Sequence, residues 1–474
     1  MTRMVGMLIG GDEVFSDRAF DVENPFDGSV LARVPEAAID QVDRALAAAE
    51  EGARAVGRMS RSERSAVLDR VSGALADRVD EFARLIASES GKTLKEARGE
   101  VTRAVETFRL SADEARRLAG EIVPIDGAPT GADRFGFFLR VPLGVIVAIT
   151  PFNFPLNLAA HKVGPAIAAG NAVVLKPSSY TPLTGIELGR LLLESGLPPE
   201  GISVVTGGGS SAGDALVRDP RPRMVTFTGS AAVGRAITER AGLKKLAMEL
   251  GSNSAVVVTR HCDVETAAKR AALGAFALAG QVCISVQRAL VHRDVLDRFT
   301  DGVRAVAEGL TVGDQLDEST DVGPMIDEAN ARRAVDWFGE AESGGARVAS
   351  GGGREGTLVE PTVMLDVSDE ARVWSDEAFA PVISVRSFDD LDEAFETVNA
   401  SRYGLQAGFY SDRLDEMMRA AHEIECGGVI INDVPTFRVD LMPYGGEKGS
   451  GLGREGPRYA VLDMSEPRTV VIRR

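Results

Sequence analysis

Short apolar runs alternate with helical segments along most of this chain, and this alternation restricts its fold more than any other feature. In the first series the apolar runs lie at 145–150, 172–176, 202–206 and 224–228, with helical segments at 182–195 and 212–217. A second series between 254 and 432 has runs at 255–258, 289–291, 382–388, 407–410 and 429–432. Buried strands that alternate with helices form parallel sheets with helices on both faces. The sequence therefore predicts an α/β protein with two lobes.

The segment before these series predicts a helical layer. Ser60 and Glu63 form a capping box at the start of an amphipathic helix, and apolar residues recur at helical spacing from there to Ile86. A second helix is expected over 95–119, where apolar positions stand among charged ones. We therefore expect one long helix followed by another before the first buried strand.

Two further segments predict a small β arm. Gly and Pro breaks between apolar runs in 121–139 indicate a hairpin. The β-prone segment 467–472 follows a Gly-rich stretch, and we expect it to pair either with this hairpin or with another subunit.

Size and charge exclude several classes of protein. A chain of 474 residues exceeds the about 250–300 residues at which a single core stops growing. The net charge is -17, from 53 basic and 70 acidic residues, and such a surface repels nucleic acids and anionic membranes. No apolar run approaches the about 20 residues of a membrane span, and the first 11 residues lack the apolar core of a signal peptide. We expect a cytoplasmic protein with no nucleic-acid or membrane partner.

The cysteines and histidines argue against disulfides and metals. The three cysteines, Cys262, Cys283 and Cys426, show no C-x-x-C spacing in a chain too large to need disulfides. The four histidines are scattered singly. No metal site is expected, and the thiols are expected to be reduced, with one of them a candidate nucleophile.

Two turns after predicted strands have the composition of a nucleotide site. The turn 227–230 (Phe-Thr-Gly-Ser) leads into a helix with Gly234, where small residues let a phosphate approach helix N–H groups. Taken alone this turn is more typical of close packing, and the G-x-G-x-x-G pattern is absent. The turn 175–179 contains Lys176 and Ser179, which suit a ribose or its phosphate. The alternative is a solvated lysine beside a turn proline.

Three residues are candidates for covalent chemistry, and each has a structural alternative. Cys283 lies between an Ala-rich helix and a predicted strand, where a cysteine is ordinarily a small buried hydrophobe. Glu249 lies at the junction of the two lobes, where it either faces a cleft or is a surface carboxylate. Asn153 stands between aromatics and prolines after a buried strand, as an oxyanion donor or as an amide bonded to its own turn.

In combination these motifs resemble the aldehyde dehydrogenase superfamily over nearly the whole chain. The spacing of 34 residues from Glu249 to Cys283 is similar to that of the family. The matching residues occur in the family's order: Asn153, Lys176, Gly229, Ser230, Gly234, Glu249, Cys283, Glu377, Phe379, Pro443, Gly445, Gly446 and Gly451.

The resemblance implies a fold of two Rossmann-like α/β lobes with a small β oligomerisation arm. It places a dinucleotide-binding domain at 1–120 and 143–252, a catalytic domain at 253–455, and the arm at 121–142 and 456–474. The arm implies a homodimer or homotetramer.

The resemblance also implies a mechanism. Cys283 would attack a small aldehyde as the thiolate, Asn153 and the Cys283 N–H would hold the oxyanion, and Glu249 would activate water to hydrolyse the thioester. Relatives that transfer the acyl group to coenzyme A lack this acid, so coenzyme A-dependent acylation is the less favoured alternative. An inactive binding or structural protein on the same fold is the other alternative. NAD or NADP would be bound by Thr150, Pro151, Phe152, Lys176, Ser178, Ser179, Gly209, Gly213, Phe227, Thr228, Gly229, Ser230, Gly234, Leu250, Gly251, Glu377 and Phe379.

The chain departs from the family pattern at two cofactor positions. Ser179 stands where many NAD-preferring relatives have Glu, and the absence of that carboxylate predicts that NADP is accepted. Phe152 stands where Trp is frequent, and we interpret it as an exchange of one aromatic for another.

Substrate choice is a hypothesis. The segments around Cys283 and 432–446 are most similar to the subgroup that acts on lactaldehyde, succinate semialdehyde, glyceraldehyde with or without its phosphate, and sulfolactaldehyde. Short polar aldehydes are common to this subgroup. The candidate substrate residues are Arg109, Phe154, Ile284 and Arg438, and the two guanidinium groups suit an anionic tail. An arginine on a charged helix is more often solvated, and apolar Val282 stands where some phosphate-binding relatives have Arg.

Overall fold

Two large β-sheets with parallel centres organise the chain. In the computed structural model, which describes residues 3–473, an eight-stranded sheet and a seven-stranded sheet are accompanied by a three-stranded antiparallel sheet and three short ribbons. This architecture confirms the α/β class with two Rossmann-like lobes and a small β arm.

The helices and strands have the following bounds. The helices are α1 (Ile39–Arg58), α2 (Arg61–Asp77), α3 (Val79–Ser90), α4 (Leu94–Arg117), α5 (Asn157–Ala169), α6 (Pro182–Glu194), α7 (Asp214–Arg218), α8 (Ala231–Arg240), α9 (Val264–Phe276), α10 (Leu296–Gly309), α11 (Glu328–Ser343), α12 (Arg372–Ser375), α13 (Leu391–Asn399), α14 (Leu414–Glu423) and α15 (Pro457–Asp463). The strands are β1 (Met7–Ile9), β2 (Asp12–Val14), β3 (Ala19–Glu23), β4 (Val30–Pro35), β5 (Glu121–Val123), β6 (Arg134–Pro142), β7 (Val145–Ile149), β8 (Ala172–Lys176), β9 (Ile202–Val204), β10 (Met224–Thr228), β11 (Lys245–Glu249), β12 (Ala255–Val258), β13 (Arg288–His292), β14 (Arg347–Ser350), β15 (Arg354–Glu355), β16 (Leu358–Val359), β17 (Thr362–Leu365), β18 (Val382–Phe388), β19 (Tyr403–Gly404), β20 (Gln406–Tyr410), β21 (Gly428–Ile431), β22 (Glu447–Lys448), β23 (Gly451–Leu452) and β24 (Ser465–Arg473).

The eight-stranded sheet aligns three strand ends that carry polar residues. Its order is β2-β1-β9-β8-β7-β10-β11-β23, and β9, β8, β7, β10 and β11 run parallel. Ile149 is level with Lys176, and Thr228 is level with Glu249. The carboxyl ends of parallel strands face one edge of a sheet, where ligands of such sheets bind. Lys176, Thr228 and Glu249 therefore lie along one edge.

The seven-stranded sheet completes the opposite lobe. Its order is β14-β17-β18-β13-β12-β20-β21, and all its pairs are parallel except β14 with β17. Strands β12 and β20 are buried along their whole length, as expected for a sheet covered on both faces. The late strand β23 returns to the first sheet beside β11, so the end of the chain ties the two lobes together.

The predicted β arm forms within the chain. Strand β24 pairs antiparallel with β6 over nine positions, and β5 pairs with β6 on the other side. The terminal segment therefore pairs with the hairpin, which is one of the two arrangements that the sequence left open.

The helical layer differs from the prediction in one respect. The capping box is confirmed, because Ser60 Oγ accepts from Glu63 N and Glu63 accepts from Ser60 N. The prediction of a single helix from Ser60 to Ile86 is wrong. The first helix, α2, ends at Asp77, and a second helix, α3, starts at Val79. Arg78 has φ -116° and ψ 27°, outside the helical region, so the chain turns there although the apolar spacing continues.

Candidate active site

A cleft of about 570 Å³ opens where the two lobes meet, at the carboxyl ends of β7, β8, β10 and β11. One wall comes from the first lobe and includes Asn153, Lys176 and Glu249. The other comes from the second lobe and includes Cys283 and Glu377. Residues more than a hundred positions apart in the chain therefore share one cavity.

Most of the predicted catalytic and cofactor residues line this cleft. They are Thr150, Pro151, Phe152, Asn153, Lys176, Ser178, Ser179, Gly209, Gly213, Phe227, Thr228, Gly229, Ser230, Glu249, Leu250, Gly251, Cys283, Glu377 and Phe379. Gly234 lies behind the wall, where a Cβ would come within 2.4 Å of the Leu250 side chain. Its missing side chain lets α8 approach that wall.

The loop before Cys283 has an unusual backbone. Leu278, Ala279 and Gly280 all have positive φ, at 51°, 50° and 69°. A Cβ at Gly280 would lie 1.9 Å from the Ala380 carbonyl oxygen, so only glycine fits there. Non-glycine residues rarely adopt this conformation, and such strain is concentrated at functional sites. Leu278 N donates a hydrogen bond of 2.7 Å to Glu96 Oε1, and this contact fixes the loop against α4.

Cys283 is partly buried, and its sulfur lies 3.0 Å from the Tyr444 hydroxyl. Burial raises the pKa of the Cys283 thiol to about 11. The Tyr444 hydrogen bond and the nearby Arg438 charge act in the opposite direction. The thiol is therefore the resting form, and the neighbouring groups decide how readily the thiolate forms.

The Asn153 amide is held beside the nucleophile loop. Its Nδ2 donates to the Gln281 carbonyl at 2.9 Å, and the side chain is buried. An amide nitrogen carries two hydrogens, so one N–H remains for a ligand. The asparagine is not bonded to its own turn, which was the structural alternative.

A buried ion pair supports the chain after Asn153. Glu100 Oε1 accepts from Leu156 N and Asn157 N at 2.9 and 3.0 Å. Glu100 Oε2 accepts from Lys92 Nζ, and both side chains are fully buried. Through these bonds α4 fixes the start of α5 and, with it, the amide.

Glu249 ends β11 with its carboxyl group in the cleft wall. The side chain is 5% exposed, and among residues 3–473 its Oε2 has no hydrogen-bond partner. Burial, followed by the nearby Glu455 charge, raises the pKa of Glu249 well above its ordinary value. A Cβ at Gly445 would lie 2.9 Å from Glu249 Oε1, so the glycine leaves room for the carboxyl group. An unpaired buried acid of this kind is typical of a proton-transfer group.

A charged network lies behind Tyr444. Glu455 accepts from Lys162 Nζ at 2.8 Å and from Arg438 Nη2 at 3.0 Å. Asp440 contacts His161 Nε2 at 2.8 Å and Arg103 Nη2 at 2.7 Å. Burial lowers the pKa of His161, so the imidazole is neutral at physiological pH. The network thus contains three cations and two carboxylates.

The opposite end of the cleft fits a dinucleotide. Among residues 3–473, Lys176 Nζ donates only to the Pro177 carbonyl, at 3.1 Å, and burial lowers the pKa of Lys176 to about 8. The Thr228 hydroxyl is buried with no partner in the described part of the chain. Ser230 caps the start of α8, whose first turn borders the cleft, and such helix starts bind phosphate. These groups fit a pyrophosphate and its ribose.

Glu377 and Phe379 close the middle of the cleft. Glu377 Oε1 accepts from Ser252 N at 3.1 Å, and burial raises its pKa to about 7. Phe379 has φ 47°, and its ring meets the Phe152 ring edge-on at 5.9 Å between centroids. Glu377 is half-buried in the cleft wall and is not a surface acid.

Several lining residues were missed by the sequence analysis. Asn330 and Arg333 on α11 face the cleft, and Tyr180 Oη donates to Asp327 Oδ2 across its edge at 2.5 Å. Tyr444 lies in the segment 432–446, but no role was predicted for it. A helix presents such residues without a sequence pattern, so only their side-chain chemistry could have identified them.

The predicted substrate residues are dispersed. Arg438 reaches the nucleophile region, because its guanidinium carbon lies 3.7 Å from the centroid of the Tyr444 ring. Ile284 packs against that same ring. Phe154 lies outside the cleft lining with its ring 3.6 Å from Lys92 Nζ. Arg109 is half exposed on α4 and paired with Glu106 and Asp113, so the structure does not bring it to the cleft.

Comparison with known proteins agrees with this geometry. The model of the aldehyde dehydrogenase family matches residues 14–470. A 3-sulfolactaldehyde dehydrogenase of Priestia aryabhattai is 43% identical over 470 residues, which cover 99% of this chain and 98% of that protein. The structure of aldehyde dehydrogenase 21 from Physcomitrella patens in complex with the reaction product succinate has a TM-score of 0.97 at 39% identity, covering 100% and 99% of the two chains. The structure of glyceraldehyde-3-phosphate dehydrogenase GapN from Methanocaldococcus jannaschii with NADP has a TM-score of 0.93 at 36% identity, covering 97% and 100%.

Fold, cleft and relatives together define a nicotinamide-dependent oxidoreductase with two α/β lobes. The chain belongs to the aldehyde dehydrogenase family. It oxidises an aldehyde to the carboxylic acid with reduction of NAD(P)⁺, through the cysteine thioester chemistry of that family. No helix among residues 3–473 is both long and apolar enough to cross a membrane.

Proposed function

We propose that the protein oxidises a small polar aldehyde with an anionic tail, using Cys283 as nucleophile, Asn153 as oxyanion donor and Glu249 as general base. The observation that carries this assignment is their convergence: the Asn153 amide is bonded to the nucleophile loop, and Glu249 lines the same cleft wall. A nucleophile, an oxyanion donor and a base around one cavity suit acyl transfer to water.

The residues divide the reaction into two stages. The Cys283 sulfur bonds to the aldehyde carbon, and the carbonyl oxygen is held by the free Asn153 N–H. A nicotinamide held by the cleft residues would accept the hydride released when this adduct is oxidised to the thioester. Glu249 then takes a proton from water as the water attacks the acyl carbon, and the thiolate leaves. Glu249 must be ionised for this step, so its raised pKa makes it a stronger base when it is free.

A cation beside the nucleophile favours an anionic tail. The Arg438 guanidinium carbon lies 3.7 Å from the centroid of the Tyr444 ring, whose hydroxyl contacts the Cys283 sulfur. Its positive charge would attract an anionic substrate to this part of the site. The relatives agree, since one is named for a sulfonated aldehyde and another is bound to succinate.

We also propose that NADP is accepted. Ser179 is exposed at the cleft, and its hydroxyl donates to the Gly207 carbonyl at 3.0 Å, so it carries no charge that repels a 2′-phosphate. Lys176 is close in sequence and lacks a carboxylate partner. A relative bound to NADP supports the same assignment.

The experiment that tests the activity compares matched aldehydes and matched cysteine variants. Succinate semialdehyde and neutral butanal are supplied with NAD or NADP, and the reduced cofactor is measured. We expect the wild type and Cys262→Ala to oxidise succinate semialdehyde and Cys283→Ala to be inactive. Cys262 is the control because its thiol donates a hydrogen bond to the Thr259 carbonyl outside the cleft. Turnover by Cys283→Ala would refute the assigned nucleophile, and equal kcat/KM for the two aldehydes would refute the anionic preference.

A further inference from the structure

The side chain of Tyr444 is hydrogen-bonded to the sulfur of the proposed nucleophile, Cys283. Its ring is 2% exposed, and its hydroxyl oxygen lies 3.0 Å from the Cys283 sulfur. The ring packs with Ile284 and Leu405 in a small apolar cluster. The hydroxyl is therefore the polar end of an otherwise apolar wall.

Three contacts prevent the Tyr444 ring from turning away. Tyr444 N donates to the Glu455 carbonyl at 3.2 Å, and Glu455 N donates back to the Tyr444 carbonyl. The Arg438 guanidinium lies on one face of the ring, 3.7 Å from its centroid. Arg438 is itself fixed by its ion pair with Glu455. A phenol held from its backbone and from its ring face keeps its hydroxyl at one place.

The stacked cation also makes Tyr444 a better donor. A guanidinium over an aromatic face is attracted to the ring electrons and stabilises added negative charge on that ring. The phenol O–H is polarised as a result. The Cys283 sulfur accepts from this hydroxyl when it is a thiolate, because a thiolate has no hydrogen to donate.

We propose that Tyr444 is a positioning residue that donates its hydroxyl hydrogen bond to the thiolate of Cys283, with Arg438 orienting and polarising the phenol. This inference rests on the proposed role of Cys283 as the nucleophile. It assigns to Tyr444 a function that a phenylalanine of the same shape would lack.

The surroundings of the sulfur explain why such a donor is needed. Burial opposes ionisation of Cys283, and the charges of Glu377 and Glu249 act in the same direction. The Tyr444 hydrogen bond and the Arg438 charge oppose them and lower the pKa of this thiol. A neutral hydroxyl stabilises the thiolate without placing a cation where the aldehyde must bind.

The test measures thiol reactivity without any aldehyde. The wild type, Tyr444→Phe and the control Tyr410→Phe are treated with iodoacetamide across a range of pH, and the modified residue is identified by mass spectrometry. Tyr410 is also a buried tyrosine, and its hydroxyl has no partner among residues 3–473. We expect alkylation of Cys283 in Tyr444→Phe to be about tenfold slower below the thiol pKa, as the loss of one hydrogen bond to an ion implies, with no change in the control.

A second variant separates this role from simple packing. Site-specific 3-fluorotyrosine at position 444 keeps the ring and strengthens the donor, so we expect the apparent pKa of Cys283 to fall, which damage to the fold would not produce. Unchanged alkylation profiles in Tyr444→Phe and the fluorinated protein would overturn the role of Tyr444. Alkylation that maps to a different cysteine would instead overturn the proposed nucleophile.

Discussion

At the scale of single residues, the account depends on groups whose hydrogen bonds are incomplete. Asn153 has one N–H bonded to Gln281 and one available, and Glu249 Oε2 has no partner among the described residues. Within the part of the chain that the structure describes, Lys176 donates a hydrogen bond only to the neighbouring Pro177 carbonyl. Buried polar atoms are ordinarily satisfied, so these exceptions mark where a ligand is expected.

Removal of the Asn153 amide should reduce turnover and leave cofactor affinity largely unchanged. Asn153→Ala loses the oxyanion donor, and we expect kcat to fall by about 10²–10³-fold. Cofactor binding, measured by fluorescence titration, should change little because Lys176, Thr228 and Ser230 are intact. A decrease in kcat of less than threefold would show that the amide does not bind the oxyanion.

A carboxylate at position 179 should weaken the use of NADP relative to NAD. In Ser179→Glu the new negative charge lies beside the proposed 2′-phosphate position, so we expect kcat/KM for NADP to fall by at least about tenfold, with a much smaller change for NAD. Steady-state kinetics with both cofactors measures this ratio. Parallel losses with the two cofactors would mean that position 179 does not face the phosphate.

The raised pKa of Glu249 gives the hydrolysis step a pH dependence of known sign. A carboxyl group with a raised pKa remains protonated as the pH falls, so the base form is lost on the acid side. Thioester hydrolysis should therefore accelerate as the pH rises through the raised pKa of Glu249, and Glu249→Gln should abolish this dependence. Single-turnover acid formation by rapid quench measures it, and a flat wild-type profile would contradict the assignment.

At the scale of elements, the strands were predicted more accurately than the helices. The strands at 172–176 and 224–228 have the predicted bounds, because buried apolar runs end sharply at Lys176 and Thr228. The break at Arg78 was missed because the apolar spacing continues across it. Helix α1 was missed as well, although its buried face is regular.

The proposed catalytic residues could be selected from the sequence because each lies at or after a recognisable element. Asn153 and Glu249 lie at strand ends, and Cys283 lies at the end of a helix-to-strand loop. Tyr444 and Arg333 could not be identified, since they reach the site through tertiary packing that no local pattern encodes. Arg109 was chosen for its charge, and only the fold shows that its helix directs it to solvent.

Loss of the buried ion pair of Glu100 on α4 should destabilise the protein far more than loss of the exposed ion pair of Glu106. Glu100→Ala leaves Lys92 buried without its ion-pair partner and removes the acceptor of two backbone N–H groups. We therefore expect the free energy of unfolding to fall by about 3–5 kcal/mol. The matched control Glu106→Ala removes the exposed ion pair with Arg109 and should lower the free energy of unfolding by less than about 1 kcal/mol. Urea denaturation compares them, and equal midpoints would contradict the role given to Glu100.

At the scale of the whole molecule, the β arm leaves apolar surface uncovered. Ile122 is 66% exposed, and Leu139 and Ile472 on the same face of this small sheet are 44% and 51% exposed. Apolar patches of this kind mark contacts between proteins. We propose that this surface joins subunits in a homodimer or homotetramer.

Charges on the arm should dissociate the oligomer. The double variant Val471→Asp and Ile472→Asp adds two carboxylates to the exposed strand, and we expect light scattering to give a smaller assembly than the wild type. The distant variant Leu414→Asp is the control, because α14 lies outside the arm. A wild-type protein that is monomeric at micromolar concentration would contradict the proposal.

The most direct test of the central claim, that Cys283 carries an acyl group which Glu249 hydrolyses, is a rapid-mixing experiment on Glu249→Gln with succinate semialdehyde and cofactor. The account predicts a burst of one reduced cofactor per active site and almost no further turnover, with intact-mass and peptide analysis locating the acyl group on Cys283. Steady turnover at the wild-type rate without a burst, or an acyl group on another residue, would contradict it.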